Sequence, residues 1–244
     1  MAFSLYSLFV NSISSFVSKL QRSAIPSVFN PWQDIDPVND AGAASPRIRT
    51  KQLEHFLKMR LKSARFCLLG EALSYQGGHF SGIAMMSERI LLGHSLEKGI
   101  SPQAVLPKMK PERTSKAEII PLGFAEPTAS MVWGLIMASG HPPEQFLTWN
   151  SFAWHPYDLK KGMLSNRRPS MKEAEAGLDI LKNFLALFPR VKLIAVGQFP
   201  GICLGRLGVR AESVRHPAYG GAPEFRAQMK KILNSDLPLI SMQS

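Results

Sequence analysis

Arg65-Phe66-Cys67-Leu68-Leu69-Gly70-Glu71-Ala72-Leu73-Ser74-Tyr75-Gln76-Gly77-Gly78-His79-Phe80-Ser81-Gly82 is a short apolar run that empties into a glycine-bounded turn. Its apolar part, Phe66 to Leu69, has the length of a buried strand and is too short for a helix of its own. A buried strand that ends in a small-residue loop is where open α/β sheets place ligands, because the carboxyl ends of parallel strands border a crevice. Two further stretches repeat the pattern. Phe146-Leu147-Thr148-Trp149 runs into Asn150-Ser151-Phe152-Ala153-Trp154-His155-Pro156-Tyr157, and Ala211 to Arg215 runs into His216-Pro217-Ala218-Tyr219-Gly220-Gly221. Together they read as three walls of one pocket.

Outward from these strands, helical patterns fill the intervals. A helix is expected from about Thr50 to Lys62, with Leu53, Phe56, Leu57 and Leu61 on one face. Ser87 to Glu97 reads as a short helix ending near Gly99, and Pro127 opens an apolar helix that stops before Gly140. Ser170 and Glu173 form a capping box for a helix to about Phe188. The strand Val191 to Val196 ends at Gly197, a short helix reaches about Leu207, and Pro223 to about Leu233 closes the chain as a helix. Strand and helix alternate four times, which calls for a three-layer α/β/α fold with a central four-stranded parallel sheet. Right-handed crossovers bring the three motif-bearing strand ends to one edge.

The first 50 residues differ in texture. Leu5, Phe9, Ile13, Phe16 and Leu20 share one helical face, and residues 24–50 carry Pro26, Pro31, Pro37 and Pro46 among acidic and amide side chains. The organisation expected is therefore an N-terminal amphipathic helix and proline-rich connector, residues 1–50, followed by the main domain, residues 51–244. Residues 1–23 are similar to an organellar transit peptide in lacking acidic groups, and equally fit a helix packed on the domain.

The chain has 244 residues and a formal charge of +11, which suits an anionic partner such as nucleic acid. Cys67 and Cys203 have no partner at C-x-x-C spacing, which argues against a zinc ribbon, an iron–sulfur cluster and a disulfide framework. No apolar stretch reaches the roughly 20 residues needed to span a bilayer. No histidine pair has metal-ligand spacing, so no metal and no cofactor are expected.

Gly70-Glu71-Ala72 with Tyr75 and Phe80-Ser81-Gly82, then Asn150 at a strand end, then His216-Pro217 at the last, resemble the three motifs of the uracil-DNA glycosylase superfamily in order and spacing. The resemblance covers roughly residues 64–226. It implies a monofunctional DNA repair enzyme that hydrolyses the N-glycosidic bond of uracil, or another deaminated base, flipped out of DNA. On that resemblance His216 and Glu71 are the catalytic candidates, His216 donating to uracil O2 as charge grows on the leaving base. Phe80 offers a stacking face, Asn150 reads the uracil edge, Tyr75 crowds C5, and Gly70 and Ala72 line the pocket. DNA phosphates are expected on Lys160, Lys161, Arg167, Arg168, Arg215 and Gly220, with Tyr219 as a wedge in the vacated stack. His155 and His79 are open between a pocket role and a structural one.

The departures are specific. Ala72 stands where well-known members carry an aspartate that positions the attacking water, and Leu73-Ser74 replace the proline and glycine usual in branches with alanine there. Glu71 is the nearest carboxylate by sequence, yet it could instead bind backbone amides or the flipped sugar. A non-catalytic nucleic-acid-binding relative is thus the alternative reading. An unrelated enzyme with a phosphate-cradling turn ranks third, since Gly77-Gly78-x-x-x-Gly82 matches G-x-G-x-x-G poorly. The resemblance implies a DNA-bound monomer, away from membranes, cytoplasmic or nucleoid-associated unless residues 1–23 address an organelle.

Overall fold

The computed structural model describes residues 5–235, with side chains from Ser12 onward. The expected positions of the Leu5 and Phe9 side chains lie outside the described residues. Helix α1 (Leu5–Arg22) is followed by β1 (Val28–Phe29) and α2 (Ser45–Arg60). Then come β2 (Phe66–Gly70), the short helices α3 (Gly78–Ser81), α4 (Glu88–Leu91) and α5 (Pro102–Val105), and the apolar α6 (Pro127–Ala138). The remainder is β3 (Phe146–Asn150), β4 (His155–Pro156), α7 (Met171–Leu187), β5 (Lys192–Val196), α8 (Gln198–Arg206), β6 (Glu212–Val214) and α9 (Ala222–Asn234).

The main sheet is four-stranded and parallel, in the order β3-β2-β5-β6, as the alternation of elements requires. Strands β2 and β3 are largely apolar runs because helices cover both faces of the sheet. Every residue of β2 and β3 is buried. The Ser170–Glu173 capping box forms on α7.

Two expectations shift. Helix α2 begins at Ser45, five residues before the expected start, because Pro46 sits in its first turn, where its missing N–H has no intrahelical partner to lose. The helix expected from Ser87 to Glu97 is broken into α4 and a 3₁₀ turn, Leu96–Lys98, with Gly93 at φ +84 between them. A left-handed residue cannot continue a right-handed helix.

Residues 12–50 share the core of the rest. Ile13, Phe16, Val17 and Leu20 are buried in the main hydrophobic cluster, and Trp32 stacks on Trp149 of β3 at 6.2 Å. Val28 and Phe29 pair antiparallel with Pro156 and His155, forming a small second sheet. Beneath that sheet runs a buried polar seam. Arg49 donates to both carboxylate oxygens of Asp40, at 2.6 and 3.1 Å, with neither side chain exposed. Asp40 Oδ2 in turn accepts from the backbone N–H of Asp36. His79 Nε2 lies 3.3 Å from Asp36 Oδ2, and its Nδ1 lies 3.0 Å from His155 Nδ1. His155 Nε2 donates to the Ser165 carbonyl at 2.8 Å. His79 and His155 are thus structural links that join the loops after β2 and β3 to the N-terminal segment.

Candidate functional site

Parallel pairing brings the carboxyl ends of all four main strands to one edge. Gly70 is in register with Asn150, and Val196 with Val214. The loops are tied there directly. Ser151 N–H donates to the Gly70 carbonyl at 2.8 Å, Phe152 N–H to the Glu71 carbonyl at 2.9 Å, and Gly197 N–H to the Val214 carbonyl at 2.9 Å.

Asn150 is 3 % exposed, and its side-chain amide makes no hydrogen bond among the described residues. A Cβ on residue 70 would stand 2.4 Å from Asn150 Oδ1. Gly70 is therefore required by the asparagine beside it, which occupies the space a larger residue would fill.

His216 follows β6 and is partly buried. Its Nδ1 accepts from the Ala218 N–H at 3.1 Å. In the neutral ring that bond puts the proton on Nε2, which becomes a donor at the strand ends. Burial pushes the His216 pKa below the usual histidine value, opposed by the nearby Glu71 carboxylate and assisted by Arg215. The neutral donor is thus the form present at neutral pH. Two glycines make room for the ring and its backbone: a Cβ on Gly197 would meet His216 Cβ at 3.4 Å, and one on Gly221 would meet the His216 carbonyl at 2.1 Å.

Glu71 lies within electrostatic reach of His216 and pairs with Arg168, whose Nη2 and Nε are 3.1 and 3.2 Å from Oε2. The structure thus brings Gly70, Glu71, Ala72, Asn150 and His216 to one edge of the sheet. Tyr75 is half-buried in the same loop and meets the Phe124 ring edge-on, 6.5 Å between centroids.

Phe80 differs from the expectation of an open stacking face. It is fully buried, with the Phe124 ring stacked on it at 4.1 Å and 8° and the His79 ring at 4.3 Å. The ring is covered because the segment after Gly123, at φ +77, folds back over the loop.

The basic residues divide into two sets. Lys160, Lys161, Arg168 and Arg215 are exposed. Arg167 instead forks onto Glu173 at 2.6 and 2.8 Å and also donates to the Tyr157 and Ser27 carbonyls, so its charge is neutralised within the protein. That corrects its place among free phosphate-binding side chains: the cap glutamate of α7 lies within reach and captures it. Tyr219 is 98 % exposed, at φ 52 beside Gly220 at φ 78, on the loop between His216 and α9. A bulky side chain held in the left-handed region and left in solvent is strained, and no packing offsets the strain.

Sequence reasoning missed Phe124 and Glu126. Both lie in a proline-punctuated stretch with no periodicity to place them, and only the fold returns that stretch to the Ser74–Phe80 loop. Glu126 Oε2 is sealed from solvent without a hydrogen bond, although other atoms of the residue are exposed. Among the described residues no group of His, Cys, Asp and Glu could hold a metal ion, and no helix is long and apolar enough to cross a membrane.

Neither a protein-family model nor a curated protein matches the chain. Among solved structures, it is similar to the wild-type SMUG2 of Pedobacter heparinus. The TM-score is 0.59 over 93 % of this chain and 96 % of that one, with 15 % of residues identical. The likeness spans nearly the full length of both chains and is one of fold.

Proposed function

We propose that the chain is a DNA glycosylase that takes a flipped, deaminated base, uracil first, into the strand-end pocket and hydrolyses its N-glycosidic bond. The observation that carries this reading is the presence of two polar groups with bonding capacity left over at the carboxyl ends of the two outer strands, β3 and β6, on the same edge of the sheet. One is the Asn150 amide, without a partner among the described residues, and the other is a His216 ring whose Nδ1 is already occupied. An amide that both donates and accepts satisfies O4 and N3–H of uracil together. Nε2–H of His216 donates to O2, and that bond strengthens as the glycosidic bond breaks and its electron pair moves onto the base. Rate is gained because the donor is fixed before the charge appears.

Phe124 stands where a base would lie on Phe80, at the spacing and tilt of a stacked ring. Base entry therefore requires Phe124 to leave that slot. Tyr75, against the edge of the same ring, then borders the base and crowds a 5-methyl group. Lys160, Lys161 and Arg215 supply salt-sensitive phosphate contacts, and Tyr219 fills the stack that the flipped nucleotide vacates. The sequence motifs supply the chemistry of this reading, and the fold likeness to SMUG2 supports it at the level of architecture.

The non-catalytic relative stays in contention on one observation, Ala72 in the position of the water-directing aspartate. The two readings part in one assay. A catalyst forms abasic sites in uracil-containing oligonucleotides and loses that activity on Asn150→Ala or His216→Ala. A binder retains affinity for the same oligonucleotides and never forms the product.

A further inference from the structure

The carboxylate missing from the first motif has a counterpart outside it. Glu126, the residue before α6, packs against the Ser74–Gly77 part of the loop that leaves β2. A Cβ on Gly77 would lie 1.9 Å from Glu126 Oε2, so glycine is the residue that lets the carboxyl sit against the loop backbone. Oε2 is sealed and makes no hydrogen bond, and the same holds for Ser74 Oγ beside it. Glu126 has no ion-pair partner among the described residues. Burial raises its pKa to about 7, against the Ser74 hydroxyl, the polar group of the packed loop that draws it down.

For stability this is a poor arrangement. A carboxyl buried with no ion-pair partner and only a hydroxyl beside it costs free energy, and glutamine would fill the same volume without that penalty. Groups of this kind collect where function needs them. Glu71, by contrast, engages Arg168 and faces His216.

Resting on the glycosylase reading, we propose that Glu126, seated beside Ser74 against the pocket loop, is the carboxylate that receives the proton of the attacking water. In the reaction the N-glycosidic bond breaks and its electron pair leaves with the base, held as an anion by His216 Nε2–H. Water oxygen bonds to sugar C1′, and one water proton passes to the Glu126 carboxylate while the other remains on the new hydroxyl. The base anion takes a proton from solvent and Glu126 returns its own, which closes the balance without a further reactant. A base that titrates close to the working pH is well matched to that transfer.

The test uses single-turnover excision of uracil from a labelled oligonucleotide across pH 5–9, with wild type, Glu126→Gln and Ser74→Ala, alongside carbon-13 titration of the Glu126 carboxyl without DNA. Wild-type rate should rise with pH through a midpoint near 7, and the carboxyl should titrate at the same midpoint. Glu126→Gln should lose about 100-fold at the plateau and flatten the profile. Ser74→Ala should move both midpoints upward, since its hydroxyl holds the value down. A Glu126→Gln enzyme as fast as an active wild type overturns the inference and leaves the glycosylase reading standing. A carboxyl titrating near 4 or midpoints unmoved in Ser74→Ala also overturn it. No abasic product from wild type overturns the glycosylase reading itself, and the inference with it.

Discussion

The polar seam beneath the motif loops and the rim of the strand ends are built from the same residue types and differ in how fully those groups are partnered. In the seam Arg49 is forked onto Asp40, Asp36 accepts from Asn39, and His155 is held between His79 and the Ser165 carbonyl, while His79 Nε2 faces Asp36 at 3.3 Å without a hydrogen bond. On the rim the Asn150 amide makes no hydrogen bond among the described residues and His216 uses one ring nitrogen of two, and in the loop that leaves β2 Ser74 Oγ and the Glu126 Oε2 packed on it are likewise without one. Satisfied buried polar groups fix a structure, whereas unsatisfied ones hold free energy that a ligand can release. The seam orients the loops, and the rim is what they orient.

The largest expected effect breaks the seam. Arg49→Met leaves the Asp40 carboxylate buried without its ion-pair partner, at a cost of about 3–5 kcal/mol. For a chain of this size that lowers the melting temperature by about 10 °C. Thermal unfolding followed by circular dichroism reads it directly. A change under about 2 °C, less than the shift expected for 1 kcal/mol, would show that the seam is solvated and does not fix the loops.

Breaking the rim should do the reverse. His216→Ala and Asn150→Ala should each lower the excision rate by about 10²–10³-fold, the loss typical of one removed charge-stabilising donor. Their melting temperatures should stay close to wild type, because neither side chain is bonded into the core. Variants that melt early and excise normally would invert the comparison.

Acid should find the seam before it finds the rim. Burial pushes the His155 pKa down to about 3. Asp36, against the burial that would raise it, is held well below the usual carboxylate range by His79 and Asn39. An unfolded histidine takes up a proton near pH 6.5, which folded His155 refuses until about pH 3. Stability from this group is complete above about 6.5 and is lost as pH falls toward about 3. Asp36 has the same sign and loses its contribution below about pH 4. Denaturant midpoints between pH 7 and 4 should therefore fall, and fall less steeply in His155→Gln. Parallel slopes in the two proteins would contradict this account.

The two regions differ in how far they can be read from the sequence. The rim is legible because its residues follow strands that announce themselves as short apolar runs ending in glycine, asparagine or histidine. Strand order then carries Asn150 and His216 to one edge. The seam is not legible, since Asp36, Asp40 and Arg49 lie in a stretch that reads as a proline-punctuated connector. Pro46 reads as a breaker there, and in the structure it opens α2. Phe80 stands out by its motif but its covering ring does not, because Phe124 reaches it across 44 residues of sequence with no regular spacing. Arg167 is indistinguishable from its exposed neighbours until the fold places Glu173 beside it.

The smallest effects belong to the outer surface. Replacing Lys160 and Lys161 with alanine should weaken DNA binding across all sequences. The slope of log affinity against log salt should fall by about 1 for each phosphate no longer neutralised. Tyr219→Ala should leave the salt slope unchanged and lower excision from duplex more than from single strands, since only a duplex has a stack to refill. Fluorescence anisotropy between 50 and 200 mM salt, paired with excision from both substrates, separates the two roles. Equal loss on both substrates for Tyr219→Ala would remove it as a wedge.

The most direct test of the central claim is excision from labelled oligonucleotides carrying uracil, hypoxanthine or xanthine, single- and double-stranded, followed by alkaline cleavage of abasic sites. The account predicts cleavage at uracil by wild type and its loss in a folded His216→Ala variant. A folded, DNA-binding wild type that forms no abasic site at any of the three bases would contradict it.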